Sequence, residues 1–169
     1  AQKAISLVSR HLLTAFHQPA NAEARNGMAL AGTLAGLAFS NGAVALVHAL
    51  EYPMGMDVHC SHGRGNALLL PHVMRFNMPY RMTEMADIAQ FMDLKGPSTT
   101  PVKAAETAIE HIESLNQSLS LPRRIRDLGG SSQDLPRWAE KAFQIKRLMD
   151  INPRTPTQED LLDILKAAL

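Results

Sequence analysis

Apolar residues recur at intervals of three and four along most of the chain, and no stretch alternates apolar and polar residues over the length of a strand. This periodicity is typical of amphipathic helices, so the pattern predicts an all-α fold. It begins with the first residues, where Ile5, Val8, Leu12 and Ala15 share one face without a capping residue in front of them. A helix already under way at residue 1 indicates a fragment of a longer chain.

Turn and cap residues divide the first part of the chain. Asn21 is predicted to cap a long helix that runs toward Phe39, and residues 40–42, with the sequence SNG, are predicted to form a turn. A second helix is predicted to run toward Tyr52 and to end at Pro53. These signals place a pair of helices in the first third of the sequence.

Further helices are predicted downstream. A loop over residues 54–62 leads into the sequence GRGNALLLPHVMRFN, a helix that accommodates Pro71 only with a kink or a local rearrangement. Asp134 is predicted to cap LPRWAEKAFQIKRLM, and Thr157, with an acidic residue three positions later, predicts a capping box at the start of a terminal helix.

Residues 27–50 carry no charge, a length that would suit a transmembrane helix. The stretch is built mainly from Ala and Gly, is interrupted at residues 40–42 and contains His48, so we expect two helices buried in a globular core instead. Gly32 and Gly36 are expected to let a neighbouring helix approach closely. We therefore predict no membrane partner.

Composition narrows the function classes. The 169 residues fit one domain, and 17 basic against 16 acidic residues give a net charge of +1, which predicts no nucleic-acid partner. Arg123, Arg124 and Arg126 could bind a phosphate, but such a cluster is more typical of a solvated helix face. The single cysteine, Cys60, excludes an internal disulfide and suits a reducing, cytoplasmic location.

Residues 48–72 contain four of the seven histidines and the only cysteine. A nucleophilic Cys60 would need an imidazole within hydrogen-bond reach, and the adjacent His59 generally points its side chain away. A structural zinc site of His48, His59, Cys60 and His62 has suitable ligand types, but their spacing matches no common zinc motif.

A third interpretation uses His48, near the end of one predicted helix, and His62, at the start of the next. Neutral imidazoles suit Fe(II) or zinc, but a catalytic metal takes about three or four protein ligands, so others must come from elsewhere. Glu51 and Asp57 are the nearby carboxylates, and Glu51 is expected to fall off the face that carries His48. The alternative is that His48 is a satisfied core histidine and His62 an ordinary helix-start residue.

The segments AGLAFSNGAVALVHALEYPMG and HGRGNALLLPHVMRFN closely resemble the iron-containing (group III) alcohol dehydrogenase family. IRDLG, LPRWAEKAF and NPRTPTQEDLLDILKAA resemble later helices of that family in the same order, so the resemblance covers essentially the whole chain. It implies that residues 1–169 form the family's C-terminal helical metal-binding domain, of the dehydroquinate-synthase-like type. The N-terminal nucleotide-binding α/β domain is then absent from this chain.

The resemblance also implies a ligand set. The family holds its metal with an aspartate, a histidine one helical turn later, and two further histidines fourteen residues apart. His48 and His62 have this separation and lie in the matching motifs, whereas the first two ligands are expected upstream of Ala1. His59 and His72 match no ligand position, and His72 is interpreted as structural or as a neighbour of the ligands.

Tyr52 marks a departure from the family pattern. Many family members have a second histidine at this position, next to the substrate and the nicotinamide. We predict Tyr52 as a catalytic residue that donates a proton or hydrogen-bonds the substrate, with simple packing beside Pro53 as the alternative. The HALEYP sequence resembles a branch that includes hydroxyacid-oxoacid transhydrogenases, which implies a substrate that carries a carboxylate.

The function implied by the resemblance is that of an NAD(P)-dependent alcohol dehydrogenase with Fe(II), or zinc, as a Lewis acid. NAD or NADP is expected to bind mainly to the absent domain. The expected partners are an alcohol or hydroxyacid, the chain's own N-terminal domain and further copies of the enzyme, and the 169-residue piece alone is expected to be inactive. The rival hypothesis is a stand-alone, non-enzymatic helical module that binds or supports other molecules.

Overall fold

The computed structural model describes residues 1–94, 96 and 99–169, and every regular element in these ranges is a helix. This confirms the all-α fold that the periodicity predicts. The chain forms two compact units. One consists of Ala1–Ala43 with Arg81–Leu119, and the other of Val44–Tyr80 with Ser120–Leu169.

The first unit contains two helix pairs. Helix α1 packs against α2, α5 packs against α6, and α1 also contacts α5. Four buried alanines, Ala86, Ala89, Ala104 and Ala108, let α5 and α6 approach closely. The bounds of these helices are α1 Gln2–His17, α2 Ala22–Gly42, α5 Met82–Phe91 and α6 Pro101–Ser118.

Helix α2 begins as predicted but ends later. The Asn21 side-chain oxygen accepts a hydrogen bond from the Ala24 amide at 3.0 Å, which confirms the cap. The predicted turn at residues 40–42 is wrong, because the helix continues through these residues and the Asn41 side-chain amide donates to the Leu37 carbonyl at 2.7 Å. Ala43, with a positive φ of 61°, ends it.

The predicted burial of α2 is also wrong. Within this helix only Ala24 and Ala31 are buried, and Leu37 is 60% exposed. A side chain added at Gly32 or Gly36 would meet nothing within 4 Å, so none of the described helices makes the predicted close approach at these glycines. The apolar residues do form a helix, as the pattern predicts, but within its unit this helix packs mainly on α1.

Within the described ranges, no single helix is long and apolar enough to cross a membrane. Only α2 taken together with the helix that follows it has the length and composition of such a span.

The second unit has α3 at its centre, packed against α4, α7 and α8, while α9 packs on α4 and α7. Its core is formed by large apolar side chains, among them Leu50, Leu69, Trp138 and Leu161, all of which are almost fully buried. The bounds of these helices are α3 Leu46–Asp57, α4 His62–Asn77, α7 Leu135–Phe143, α8 Lys146–Asp150 and α9 Gln158–Ala167. Two 3-10 turns, Met78–Tyr80 and Ile125–Leu128, complete it.

Helix α3 runs past the point where the sequence predicts its end. Pro53 lies inside the helix, which continues to Asp57, so the predicted loop over residues 54–62 shrinks to residues 58–61. A proline costs a helix one backbone hydrogen bond, and burial of Leu50, Pro53 and Met54 in the core offsets that loss. Pro71 is accommodated in the same way inside α4.

Two caps downstream have different outcomes. Asp134 stands at the start of α7, but its carboxylate accepts hydrogen bonds from the Ser131 amide at 3.0 Å and hydroxyl at 2.7 Å instead of capping the helix. The predicted helix also breaks after Phe143, where α8 becomes separate. At α9 the capping box is confirmed, because Thr157 and Asp160 exchange hydrogen bonds of 2.8 and 3.1 Å.

Candidate functional site

The two candidate ligands face each other across the junction of α3 and α4. His62 is the first residue of α4, as predicted, whereas His48 lies in the first turn of α3 and not near its end, because α3 extends to Asp57. The ring centroids of His48 and His62 are 5.1 Å apart, and the ring planes are inclined by 57°.

This separation suits two imidazoles that share one ion. Nitrogen ligands at about 2.1 Å from an ion, with an angle of about 90° to 110° between them, place their ring centroids about 4.6 to 5.3 Å apart. The observed 5.1 Å between His48 and His62 falls inside that interval. Burial, followed by the neighbouring His62, lowers the pKa of His48, so at neutral pH this imidazole is uncharged and keeps a lone pair for a ligand.

Glu51 supports the second imidazole from inside the protein. Its side chain is only 4% exposed, and its Oε2 lies 2.5 Å from Nδ1 of His62. The spacing predicts that Glu51 falls off the face that carries His48, but the Glu51 side chain reaches the other candidate ligand, His62. Because Nδ1 donates to this carboxylate, the second ring nitrogen, Nε2, remains as the acceptor of His62.

Asn66 lies one turn after His62 on α4. Its side-chain nitrogen donates to the His62 carbonyl at 2.9 Å and lies 3.1 and 3.2 Å from the two ring nitrogens. An atom so nearly equidistant from both ring nitrogens is not in line with either lone pair. Asn66 therefore leaves Nε2 of His62 available, and its own Oδ1 is buried without a hydrogen-bond partner among the described residues.

The ring of Tyr52 lies next to the rings of both histidines. It lies one turn after His48 on α3, and its ring is 6.2 Å from that imidazole in an edge arrangement. The ring also stacks over His62, with centroids 5.8 Å apart and planes inclined by 21°. Tyr52 is 38% exposed, so it forms an accessible wall of the site and is not confined to packing beside Pro53.

The four-ligand zinc site is wrong. No group of three or more His, Cys, Asp or Glu side chains within the described ranges is arranged to hold a metal ion. His59 is exposed and lines a separate cavity of about 460 Å³ together with Asp57 and Trp138. His72 is half-buried in α4.

Cys60 has the wrong environment for a nucleophile. Burial and then the Glu51 carboxylate raise the pKa of its thiol, which keeps the sulfur protonated at neutral pH. A reactive cysteine requires a lowered pKa, and here burial and Glu51 outweigh the opposing effect of the Arg64 guanidinium. Cys60 instead fills space near Glu51, Gly55 and Gly65.

The sequence identifies Glu51 as a carboxylate near the two histidines but does not predict its contact with His62. His62 lies eleven positions after Glu51 and beyond a loop, so no helical spacing connects the two. One signal was present, because Glu51 is the first charge after an uncharged stretch and lies in a helix that is otherwise apolar on its buried side. A buried carboxylate is almost always paired, which points to a polar partner nearby.

Comparison with known proteins assigns this chain to a family. A family model described as Fe-containing alcohol dehydrogenase family, C-terminal, matches residues 1–169. A 1,3-propanediol dehydrogenase from Citrobacter freundii is 37% identical over 168 residues, which cover 99% of this chain and 43% of that protein. An NAD-dependent methanol dehydrogenase from Bacillus methanolicus is 32% identical over 169 residues, covering 100% and 44%.

A solved structure shares the fold closely. The crystal structure of a 1,3-propanediol oxidoreductase superposes with a TM-score of 0.95 at 36% identity, covering 99% of this chain and 44% of that one. The chain therefore spans less than half the length of these relatives.

Proposed function

Because the chain belongs to the Fe-containing alcohol dehydrogenase family, as its C-terminal part, we propose that it is the metal-binding helical domain of an NAD(P)-dependent alcohol dehydrogenase. The single observation that supports this most strongly is the pair of facing imidazoles, His48 and His62, with centroids 5.1 Å apart. Their neutral nitrogen donors fit Fe(II), and also zinc.

His48 and His62 provide half of a four-ligand set in this proposal. The other two ligands come from the part of the enzyme that precedes Ala1. A bound ion would supply Lewis-acid chemistry, which lowers the pKa of an alcohol. The chain's contribution is to hold two imidazoles in fixed orientations, and the Glu51 carboxylate fixes one of them.

The reaction proposed is hydride exchange between the carbinol carbon of an alcohol or hydroxyacid and a nicotinamide cofactor, held mainly by the N-terminal domain. Relatives named as 1,3-propanediol dehydrogenase and NAD-dependent methanol dehydrogenase support a small alcohol and NAD. The HALEYP sequence motivates the proposal of a substrate with a carboxylate, as in the transhydrogenase branch. We further propose a homo-oligomeric enzyme of the cytoplasm.

Tyr52 is the proposed proton or hydrogen-bond donor of the site. Hydride transfer from an alcohol also releases the hydroxyl proton, which needs a polar group beside the substrate. The ring of Tyr52 lies next to both proposed ligands and is partly exposed, so a molecule beside the two imidazoles can contact this ring. In the reductive direction the phenol donates the proton and recovers it from water, which the exposed ring allows. In the oxidative direction the proton of the alcohol passes to water, and the phenol hydrogen-bonds the reacting oxygen.

The test replaces each proposed ligand by alanine in the full-length enzyme. H48A and H62A are each expected to lose stoichiometric metal, measured by elemental analysis, and nearly all NAD-dependent alcohol oxidation. H59N is the matched control, because His59 lies on the intervening loop, lines a different cavity and has a positive φ that asparagine tolerates. Full metal content in H48A and H62A would overturn the assignment.

A further inference from the structure

The Glu51 side chain lies in a narrow space, here called the slot, beside Gly55 and Gly65. A Cβ added at Gly65, on α4, would lie 2.7 Å from Cγ and 2.9 Å from Oε1 of Glu51, and a Cβ at Gly55 would overlap the same carboxylate oxygen. Two glycines on two different helices thus create the space for one buried carboxylate. Such contacts are closer than real Cβ atoms tolerate, so a side chain at either glycine would displace the Glu51 side chain.

The carboxylate in this slot has one charged or titratable hydrogen-bond partner among the contacts of the described residues, Nδ1 of His62 at 2.5 Å. The His62 ring itself is 55% exposed, whereas the Glu51 side chain is 4% exposed. A surface imidazole with a buried anion at Nδ1 has one defined orientation, and its other nitrogen points away from that anion. Asp57, the other carboxylate of α3, is bound to Trp138 and Arg137 instead.

We propose that Glu51 is the positioning residue of the metal site, which selects the Nδ1-protonated tautomer of His62 and aims its Nε2 lone pair toward His48. The inference rests on the proposed function, because it takes His62 as a ligand. Carboxylates that hydrogen-bond the far nitrogen of a ligating histidine fix the ring and make it a stronger donor. The negative charge also compensates a divalent cation.

The first test is a Zn²⁺ titration of the metal-free, full-length enzyme by calorimetry. E51A, which removes both the charge and the hydrogen bond, is expected to weaken zinc binding about 10-fold to 100-fold. E51Q keeps the shape and an acceptor oxygen, so it is expected to recover part of that loss. D57N is the matched control, because it also changes a carboxylate to an amide on α3, and is expected to bind as the unaltered enzyme does.

The second test observes the tautomer without metal or turnover. Nitrogen NMR of the metal-free enzyme labelled with ¹⁵N-histidine, with the His62 signals assigned from their loss in H62Q, is expected to show His62 protonated at Nδ1. In E51A the population is expected to shift toward the Nε2-protonated form. A merely structural role for Glu51 would leave these signals where they are.

A pair of glycine variants tests the slot itself. G65A is expected to displace Glu51 and to weaken zinc binding in the same direction as E51A. G63A is its control in the same first turn of α4, because a Cβ at residue 63 meets nothing within 4 Å.

The outcomes separate the two proposals. If H62A loses zinc while E51A binds it within threefold of the unaltered enzyme and keeps the His62 tautomer, the positioning role is wrong and the proposed function stands. If H62A binds zinc normally, the proposed function fails and the inference fails with it. An equal loss in D57N would also overturn the inference, because the effect would then come from general charge.

Discussion

Three rings, those of His48, Tyr52 and His62, lie with their centroids between 5.1 and 6.2 Å apart, and one buried carboxylate fixes the last of them. His48 and His62 were predictable as a pair from the motifs around them. Glu51 was not, because its direction depends on how far α3 turns before it meets α4. That geometry is set by packing and not by local spacing.

Removal of the Tyr52 hydroxyl tests the role of this residue in the reaction. Y52F in the full-length enzyme is expected to lower kcat at least about tenfold, because a hydrogen bond or proton donor at the reacting oxygen is lost. Metal content is expected to stay unchanged. Steady-state kinetics and elemental analysis measure both.

The matched control is Y80F, because Tyr80 is the chain's other tyrosine and is 63% exposed outside the ring cluster. A kcat of Y52F within twofold of the unaltered enzyme would show that Tyr52 only packs.

At the scale of helices, the sequence predicts the first residue of a helix better than its last residue. The caps of Asn21 and Thr157 are local hydrogen bonds, so the sequence alone carries them. The ends of α2 and α3 were placed too early, since turn residues and Pro53 signal a break that tertiary packing overrides. The extension of α3 matters for the site, because it places Gly55 on the same helix as Glu51 and against the Glu51 carboxylate.

The Asp160 carboxylate at the start of α9 is expected to make the stability of this helix depend on pH. Burial raises the pKa of this carboxyl, but hydrogen bonds from the Thr157 amide and hydroxyl, together with Arg154, outweigh burial and lower it. A pKa lower in the folded state contributes stability above the unfolded value of about 4, and this stability is lost as the pH falls through the folded value.

D160N is therefore expected to reduce hydrogen-exchange protection of α9 about tenfold at pH 7, and the deficit is expected to shrink as the labelling pH is lowered toward 4 and below. D163N, an exposed change on the same helix, is the control and is expected to have little effect. A deficit of D160N that is independent of pH would contradict this account of the cap.

At the scale of the whole molecule, the chain is a C-terminal part that spans less than half the length of its relatives. The all-helical class followed from periodicity alone. The two-unit organisation did not, because which helices pair is decided by contacts distant in sequence. The sequence predicts that α2 is buried, but one face of this helix is exposed. An apolar pattern does not reveal whether the same chain supplies the partner that covers an apolar face.

The central claim is that His48 and His62 bind one metal ion together. The most direct test is anomalous diffraction at the metal absorption edge from crystals of the full-length enzyme grown with Fe(II) or zinc. The account predicts a single strong peak about 2.1 Å from a ring nitrogen of each histidine, with Nε2 as the donor of His62. A metal peak that neither imidazole contacts, or one that only a single histidine binds, would contradict it.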